Sequence, residues 1–190
     1  MPHTSPVHYR VDASNRITSV NPAWDHFARS NDGEHLVGES IVGQHLFEFI
    51  TDATTRQLYH TMLDRVRDTR KPLLIHFRCD APDRRRDMTL ELRASDDGAA
   101  VDFVVHTLQE DDRSAVSLID ANAPRDGRLL RMCGWCKRVH LPTDAWVEVE
   151  EAIGPLEIFA GTTVPQLSHG ICERCEDAVL QALGHTSGAA

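Results

Sequence analysis

The chain has 190 residues, of which 41% are hydrophobic and 26% are charged, and its formal net charge at pH 7 is −9. This composition is typical of a folded globular protein, and the negative charge disfavours binding to a nucleic-acid backbone. No apolar stretch resembles a signal segment or approaches the roughly 18 residues that a membrane span needs. We therefore predict a cytoplasmic protein that contacts neither nucleic acid nor membrane.

The period of the apolar residues predicts two strands near the N-terminus, followed by helices. Residues 7–11 and 16–20 alternate around a turn at 12–15, which predicts a β-hairpin. Asn21 and Pro22 are residues typical of a helix start, and residues 54–68 carry the longest apolar stripe with helical spacing.

The period changes to two after residue 72. Residues 73–80, 88–92 and 101–105 alternate between apolar and polar side chains, which predicts three further strands and places Cys79 in the core. The whole order predicts an α+β domain: an antiparallel five-stranded sheet with helices inserted after strand two.

The segment that starts at Asp12 reads Asp-x-x-Asn-Arg-Ile-Thr-x-Val-Asn-Pro-Ala-Trp. Together with the element order to about Leu108, it resembles a PAS domain. The resemblance implies a sensory or interaction module whose sheet and helices enclose a small ligand or cofactor. It also implies pairing through the outer sheet face and the flanking helices, either with a protein partner of a signalling pathway or with a second copy as a homodimer. The aromatic residues expected to line the interior or a ligand cavity are Trp24, Phe27, Phe47, Phe49, Phe77 and Phe103.

The composition changes after the last predicted strand. We predict a PAS-like domain over 1–110, a linker over 111–128 that ends in turn residues, and a small cysteine-containing module over 129–190.

Four of the five cysteines form two Cys-x2-Cys pairs, Cys133 with Cys136 and Cys172 with Cys175, separated by 35 residues. Two such pairs complete the tetrahedral thiolate shell that zinc prefers, with no position open for water. The spacing predicts one structural zinc ion per chain, which would staple a module with a small core.

Basic residues next to the ligands would balance the charge of the four thiolates. These residues are Lys137, Arg138 and Arg174. Cys175 is predicted to lie near the start of a helix that contains Val179 and Leu183, where the positive helix end favours a thiolate.

The sequences around the pairs are Met132-Cys-Gly-Trp-Cys-Lys-Arg and Ser168-His-Gly-Ile-Cys-Glu-Arg-Cys175. They are similar to a small four-cysteine module with the pattern Cys-x-Trp-Cys-Lys and Ser-His-Gly-Ile-Cys-x-x-Cys that accompanies bacterial signalling domains. Glu173 stands where that family usually has Pro, which leaves the ligand positions unchanged. The resemblance implies a bacterial signal-transduction protein.

Two histidines near the cysteines, His140 and His169, are alternative metal ligands, although His169 is expected to support the second pair by hydrogen bonding. Between the pairs, Trp146, Val149 and Ile153 follow helical spacing after Thr143, which predicts a helix.

Two other functions compete with a structural zinc module. The cysteines would form a redox- or metal-responsive switch if oxidation expelled the ion. The PAS-like domain would be a haem or flavin sensor if its interior held one of these coloured cofactors. Haem would need a histidine ligand such as His60 or His45, but both lie off the predicted apolar faces. The run Arg84-Arg85-Arg86 is expected at a solvated hairpin tip, with an anionic partner as the alternative.

The sequence contains no nucleophile and base arrangement, no phosphate-binding glycine-rich loop and no kinase or cyclase motif. We expect no enzymatic activity and no catalytic output domain. The predicted function is signalling through ligand-modulated protein–protein interaction or dimerisation.

Overall fold

A computed structural model describes residues 5–152 and 163–184. Its first sheet has five strands in the order β2-β1-β5-β4-β3. β1 pairs antiparallel with both β2 and β5, and the residue pair Tyr9 and Phe103 lies on the buried side. The strands are β1 (Val7–Val11), β2 (Ile17–Val20), β3 (Leu73–Arg78), β4 (Arg84–Ala94) and β5 (Val101–Asp112). This confirms the predicted antiparallel five-stranded sheet.

The helices lie between β2 and β3 in sequence, as predicted. They are α1 (Pro22–Arg29), α2 (Gly38–Ile41) and α3 (Ala53–Thr69), with short 3₁₀ turns at Glu34–Leu36 and Leu46–Phe49. The Asn21 side chain caps α1 by accepting from the Trp24 amide at 3.0 Å, and Asp52 caps α3 by accepting from the Thr55 amide at 2.7 Å. α3 ends at Arg70, whose φ of 57° is left-handed.

A cluster of aromatic side chains fills the space between this sheet and the helices. Tyr9 stacks on Phe103 with 4.4 Å between ring centroids, and the Trp24 ring meets Tyr9 edge-on at 5.2 Å. α3 adds a buried stripe made of Leu58, Met62, Leu63 and Val66. No helix within the described residues is long and apolar enough to span a membrane.

The second sheet has four strands in the order β8-β7-β6-β9. β6 and β9 are parallel, while β7 pairs antiparallel with both β6 and β8. The elements are β6 (Arg125–Cys133), β7 (Val139–His140), β8 (Trp146–Val147), α4 (Val149–Ala152), β9 (Val164–Gly170) and α5 (Glu173–Ala182). The buried cluster on this sheet contains Val116, Leu118, Leu130, Met132, Val139, Leu141, Val149, Ala152 and Val164.

The chain divides into two compact units. The sheet unit consists of Met1–His76, Met88–Leu108 and Val179–Ala190, and the cysteine unit consists of Phe77–Asp87 and Gln109–Ala178. Within 111–128, Leu118 is fully buried and belongs to the core of the cysteine unit. The division into 1–110, 111–128 and 129–190 stays a prediction.

Three local expectations were wrong. Trp146 lies in strand β8 and not in a helix, because α4 begins only at Val149; Ile153 lies outside the described residues. The alternation of β3 changes near its end, where Arg78 is buried and Phe77 is half-buried. Cys79 follows the last residue of β3 and is half-buried, not part of the core.

Candidate metal centre

The first cysteine pair lies where β6 ends and turns back into β7. The Cys133 amide donates to the Arg138 carbonyl at 2.8 Å, and the Lys137 amide donates to the Cys133 carbonyl at 3.0 Å. Lys137 has a φ of 62°, so the chain reverses tightly after Cys136. Both sulfur atoms therefore point to the inside of one short turn.

The second pair lies at the start of α5. The Cys172 carbonyl accepts from the amides of Cys175 at 2.9 Å and Glu176 at 3.0 Å, which closes the first helical turn. Val179 and Leu183 are buried, with exposed fractions of 1% and 4%. The predicted helix near Cys175 is confirmed and contains Val179, but it ends at Ala182, one residue before Leu183.

Parallel pairing of β6 with β9 brings the two pairs together. Cys133 is the register partner of Gly170, and the Gly134 amide donates to the Gly170 carbonyl at 2.8 Å. Cys172 follows two residues after Gly170 and donates its amide to the Cys133 sulfur at 3.4 Å.

The four sulfur atoms all lie within 4.8 Å of one another. The sulfurs of Cys136 and Cys172 are 3.7 Å apart. Cys133 and Cys172 are buried, whereas Cys136 and Cys175 are half-buried. The arrangement can bind a metal ion through four thiolates, and among the described residues this cluster contains only cysteines.

The thiols of the cluster shift one another's pKa values. Hydrogen bonds from Cys136 and Cys175 hold the pKa of Cys133 well below its usual range. The bond to Cys133 raises the pKa of Cys136 to about 12, and bonds to Cys133 and Cys136 raise that of Cys175. Four cysteine sulfurs are the donor set of a soft cation site.

The neighbouring cations and histidines have different roles. Arg138 lies beside the cluster, and its pKa is raised first by Glu148 and also by the Cys136 and Cys172 sulfurs. His140 contacts the carboxylate of Asp144 at 3.0 Å. Neither His140 nor His169 is part of the sulfur cluster, so the structure leaves both outside the candidate ligand set.

A buried ion network stabilises the β3–β4 hairpin within the cysteine unit. The carboxylate of Asp80, whose side chain is 1% exposed, pairs with Arg78 and with Arg113, the latter at 3.1 Å. Glu148 accepts from Arg78 at 2.5 Å and from Arg138 at 3.0 Å. The Arg78 amide also donates at 2.6 Å to the carbonyl of Trp135, which lies between the first two cysteines.

Sequence analysis missed this network, because Arg78 and Asp80 occupy the positions that strand alternation assigned to solvent. The expectation for Arg84-Arg85-Arg86 was wrong at Arg86, which is 5% exposed and donates to Glu110 at 2.5 Å. Strand alternation does not distinguish these arginines from exposed ones, because Glu110 and Glu148 are distant in sequence and the nearby Asp80 was itself assigned to solvent.

The predicted cavity residues occupy different environments. Phe103 and Phe47 are buried, and Phe49 is 40% exposed. Trp24 and Phe27 are half-buried, and the Trp24 indole donates to the Leu36 carbonyl at 2.7 Å. Phe77 is half-buried and belongs to the cysteine unit. A ligand cavity lined by these side chains stays a prediction.

Two tyrosines of the same interior were not singled out from the sequence. Burial raises the pKa of Tyr9 well above its usual value and that of Tyr59 to about 12. His60, expected to face sideways or outward, is half-buried and stacks on Phe47 with 3.9 Å between ring centroids. The Nδ1 atom of His45 accepts from the Phe47 amide at 3.3 Å.

No protein-family model and no curated protein matches this chain. Among solved structures, it is similar to a sensory box sensor histidine kinase from Vibrio cholerae, with 14% identity, a TM-score of 0.40, and coverage of 56% of this chain and 84% of that one. The photoactive yellow protein domain of the sensor histidine kinase Ppr from Rhodospirillum centenum has 15% identity and a TM-score of 0.41, with coverage of 56% of this chain and 86% of that one. A domain of an HTR-like protein from Haloarcula marismortui has 14% identity and a TM-score of 0.34, with coverage of 55% of this chain and 98% of that one. TM-scores this low support no inference about function.

Replacing Asp80 by Asn should destabilise the protein by about 3–5 kcal/mol, because Arg78 and Arg113 would lose their shared buried carboxylate. The matched control is Asp83→Asn on the same hairpin, whose side chain is 64% exposed and should change stability by about 0.5 kcal/mol or less. Urea unfolding followed by circular dichroism measures both variants. Equal effects of the two substitutions would show that the network contributes no net stability.

Proposed function

We propose that this chain is a non-enzymatic cytoplasmic signalling module. A PAS-like sensory or interaction domain accompanies a structural zinc module, and the protein acts through ligand-modulated contact with a protein partner or with a second copy of itself. The observation that carries the proposal is the convergence of four cysteine sulfurs within 4.8 Å. Because all four donors come from the protein, the bound ion keeps no open position for substrate or water.

Zinc suits this donor set better than harder cations do. Sulfur atoms at about 2.3 Å from a tetrahedral zinc ion lie about 3.8 Å from one another, and the sulfurs of Cys136 and Cys172 are 3.7 Å apart. A metal ion bound by the two cysteine pairs, one at the end of β6 and one at the start of α5, would close the long loop between them. A structural zinc ion contributes about 10 kcal/mol or more on binding, which supplements the small core of this unit.

Elemental analysis of the purified chain should give about one zinc per chain, and the visible spectrum should lack haem or flavin bands. Cys172→Ser should lose the metal, because three thiolates and a hydroxyl no longer form a closed soft shell. Cys79→Ser is the matched control and should retain it, because Cys79 lies outside the sulfur cluster. Iron or a coloured species in the wild-type protein would contradict a structural zinc site.

The outer face of the five-stranded sheet supports self-association. Leu74 on β3 alternates with buried Ile75 and is 52% exposed, and Leu108 on β5 is 58% exposed. By strand alternation both lie on the face opposite to Phe103 and the aromatic interior. Exposed leucines on a sheet face are a typical apolar centre for a contact with another protein surface.

Leu74→Arg should therefore shift the protein from dimer to monomer, because an unpaired guanidinium would be buried in the interface. Val42→Arg is the control: Val42 is 47% exposed and follows α2, in the connection between β2 and β3 and outside the five strands. Sedimentation velocity over a concentration series measures both variants. A wild-type chain that stays monomeric at every concentration, or that loses its dimer equally with Val42→Arg, would contradict the proposed interface.

A second candidate function is a redox switch at the cysteines. The observation that favours it is the half-buried position of Cys136 and Cys175 in a cluster where Cys136 and Cys172 approach to 3.7 Å. Two thiolates would transfer two electrons to hydrogen peroxide. One disulfide would form, and with two protons the peroxide would become two water molecules. The ion would lose two ligands and dissociate.

Mild peroxide separates the two candidates. In a switch, zinc appears in solution as measured with a chelating dye, and a dithiol reductant with added zinc restores the bound metal and the original oligomeric state. In a structural site, the metal stays bound under the same treatment. The experiment is run on Cys79→Ser, so that oxidation of the fifth thiol cannot produce the signal.

A further inference from the structure

A cavity of about 500 Å³ lies within the cysteine unit. Its described lining includes none of the four clustered cysteines, so it is distinct from the metal centre. Cavities of a few hundred cubic ångströms with an apolar wall and a few polar groups are typical of sites for small organic molecules. The polar groups that line this cavity determine which class of molecule it can bind.

Two parallel strands form one side of the cavity. The register of β6 and β9 pairs Leu130 with Leu167 and Met132 with His169, so these side chains lie on the same face of the sheet. Leu130 and Met132 are buried in the core, whereas Leu167 is half-buried and His169 is exposed. The cavity therefore lies at the edge of the core, with an apolar inner wall and an imidazole near solvent.

The charged side chains that line the cavity differ in whether they have a partner of opposite charge. Asp80 is already paired with two buried arginines of its own network. Arg125 donates to three backbone carbonyls, those of Leu118, Asp120 and Pro165, at 2.6–2.9 Å. The Lys137 ammonium donates to the Gly134 carbonyl at 2.7 Å. Across residues 5–152 and 163–184, no carboxylate lies within 4.0 Å of the side-chain nitrogens of Arg125 or Lys137.

The positive charges of Arg125 and Lys137 favour binding of an anion. The donors of Arg125 are already occupied by backbone carbonyls, which favours a carboxylate over a phosphate. The guanidinium of Arg125 is held by carbonyls and is not presented as a free fork for a phosphate. Lys137 is a compact charge with further donors, and His169 adds a second polar group near the mouth. The partly buried Ile119 and Leu167 also line the cavity and offer apolar surface.

We propose that this cavity binds a small organic carboxylate with an apolar body. The carboxylate interacts with Lys137 and His169, and the apolar body packs against Ile119 and Leu167. The inference depends on the fold of the cysteine unit and not on dimerisation of the sheet unit. Zinc content and oligomeric state are measured on the same samples, so a failure of this proposal is distinguishable from a failure of the function proposed above.

The lysine content of the chain provides a direct probe. The sequence contains 18 arginines but only two lysines, Lys71 and Lys137. Reductive methylation with ¹³C-formaldehyde keeps the positive charge of each lysine and gives each a separate NMR signal. Lys71 is exposed, belongs to the sheet unit and serves as an internal control. The titrants are sodium 4-methylpentanoate, its neutral amide 4-methylpentanamide, and inorganic phosphate, added to the metal-loaded full chain.

We expect a saturable shift of the Lys137 signal with 4-methylpentanoate, an unchanged Lys71 signal, and little effect of the amide or of phosphate. Gln166→Glu places a negative charge on the cavity wall and should raise the dissociation constant about fivefold or more. The matched control Gln181→Glu makes the same charge change on exposed α5, away from this wall, and should leave the constant within about twofold.

Four results would overturn the proposal. The Lys137 signal could stay unchanged to the solubility limit of the carboxylate, or both lysine signals could move together. Phosphate could bind as tightly as the carboxylate, which would indicate a general anion site. The two glutamate variants could also weaken binding equally, which would indicate long-range repulsion and not a contact in the cavity.

Discussion

The parallel pairing of β6 with β9 is the constraint on which the cysteine unit depends. Parallel strands cannot be joined by a tight turn, so the chain between them must make a long crossover before it returns. The register of Cys133 with Gly170 then determines where the second pair begins. A shift of one residue would move Met132 and Leu130 from the core face to the opposite face and would separate the sulfurs. The hydrophobic cluster and the metal centre therefore favour the same register.

The buried ions of this unit provide a second constraint. A carboxylate as buried as Asp80 is stable only with partners, and it has two arginines within ion-pair distance. Arg113 also donates to the carbonyls of Ala81 at 2.8 Å and Pro82 at 3.3 Å, so one guanidinium satisfies both the carboxylate and the hairpin backbone. Glu148 extends the network to Arg138 beside the sulfurs. The hairpin and the first cysteine turn thus share polar partners.

Local chemistry was sufficient to predict much of the sheet unit and the identity of the clustered cysteines. The cap at Asn21 depends on residues within one helical turn, and strand alternation depends on neighbours in the chain. The same reasoning failed at Trp146, because a pairing with His140 across β7 and β8 outweighs the helical spacing. It failed at Arg78 and Arg86 because each guanidinium is buried against a carboxylate distant in sequence, Glu148 and Glu110, in addition to the nearby Asp80 for Arg78.

The contrast between arginine and lysine in this chain connects the metal centre to the cavity. Arginine guanidinium groups donate hydrogen bonds to the buried carboxylates and the backbone carbonyls of the cysteine unit. Their planar geometry allows one side chain to satisfy several acceptors. Lys137 instead lies in the left-handed turn directly after Cys136, so its position is determined by the first cysteine pair. The cavity wall on the other side is β9, whose register leads into the second pair. A bound metal would hold both walls in place, and loss of the metal would release the lysine and the strand together. If the cavity binds a ligand as proposed, we therefore expect its affinity to depend on occupancy of the cysteines, through the positions of two adjacent chain segments and without a contact between the ligand and the ion.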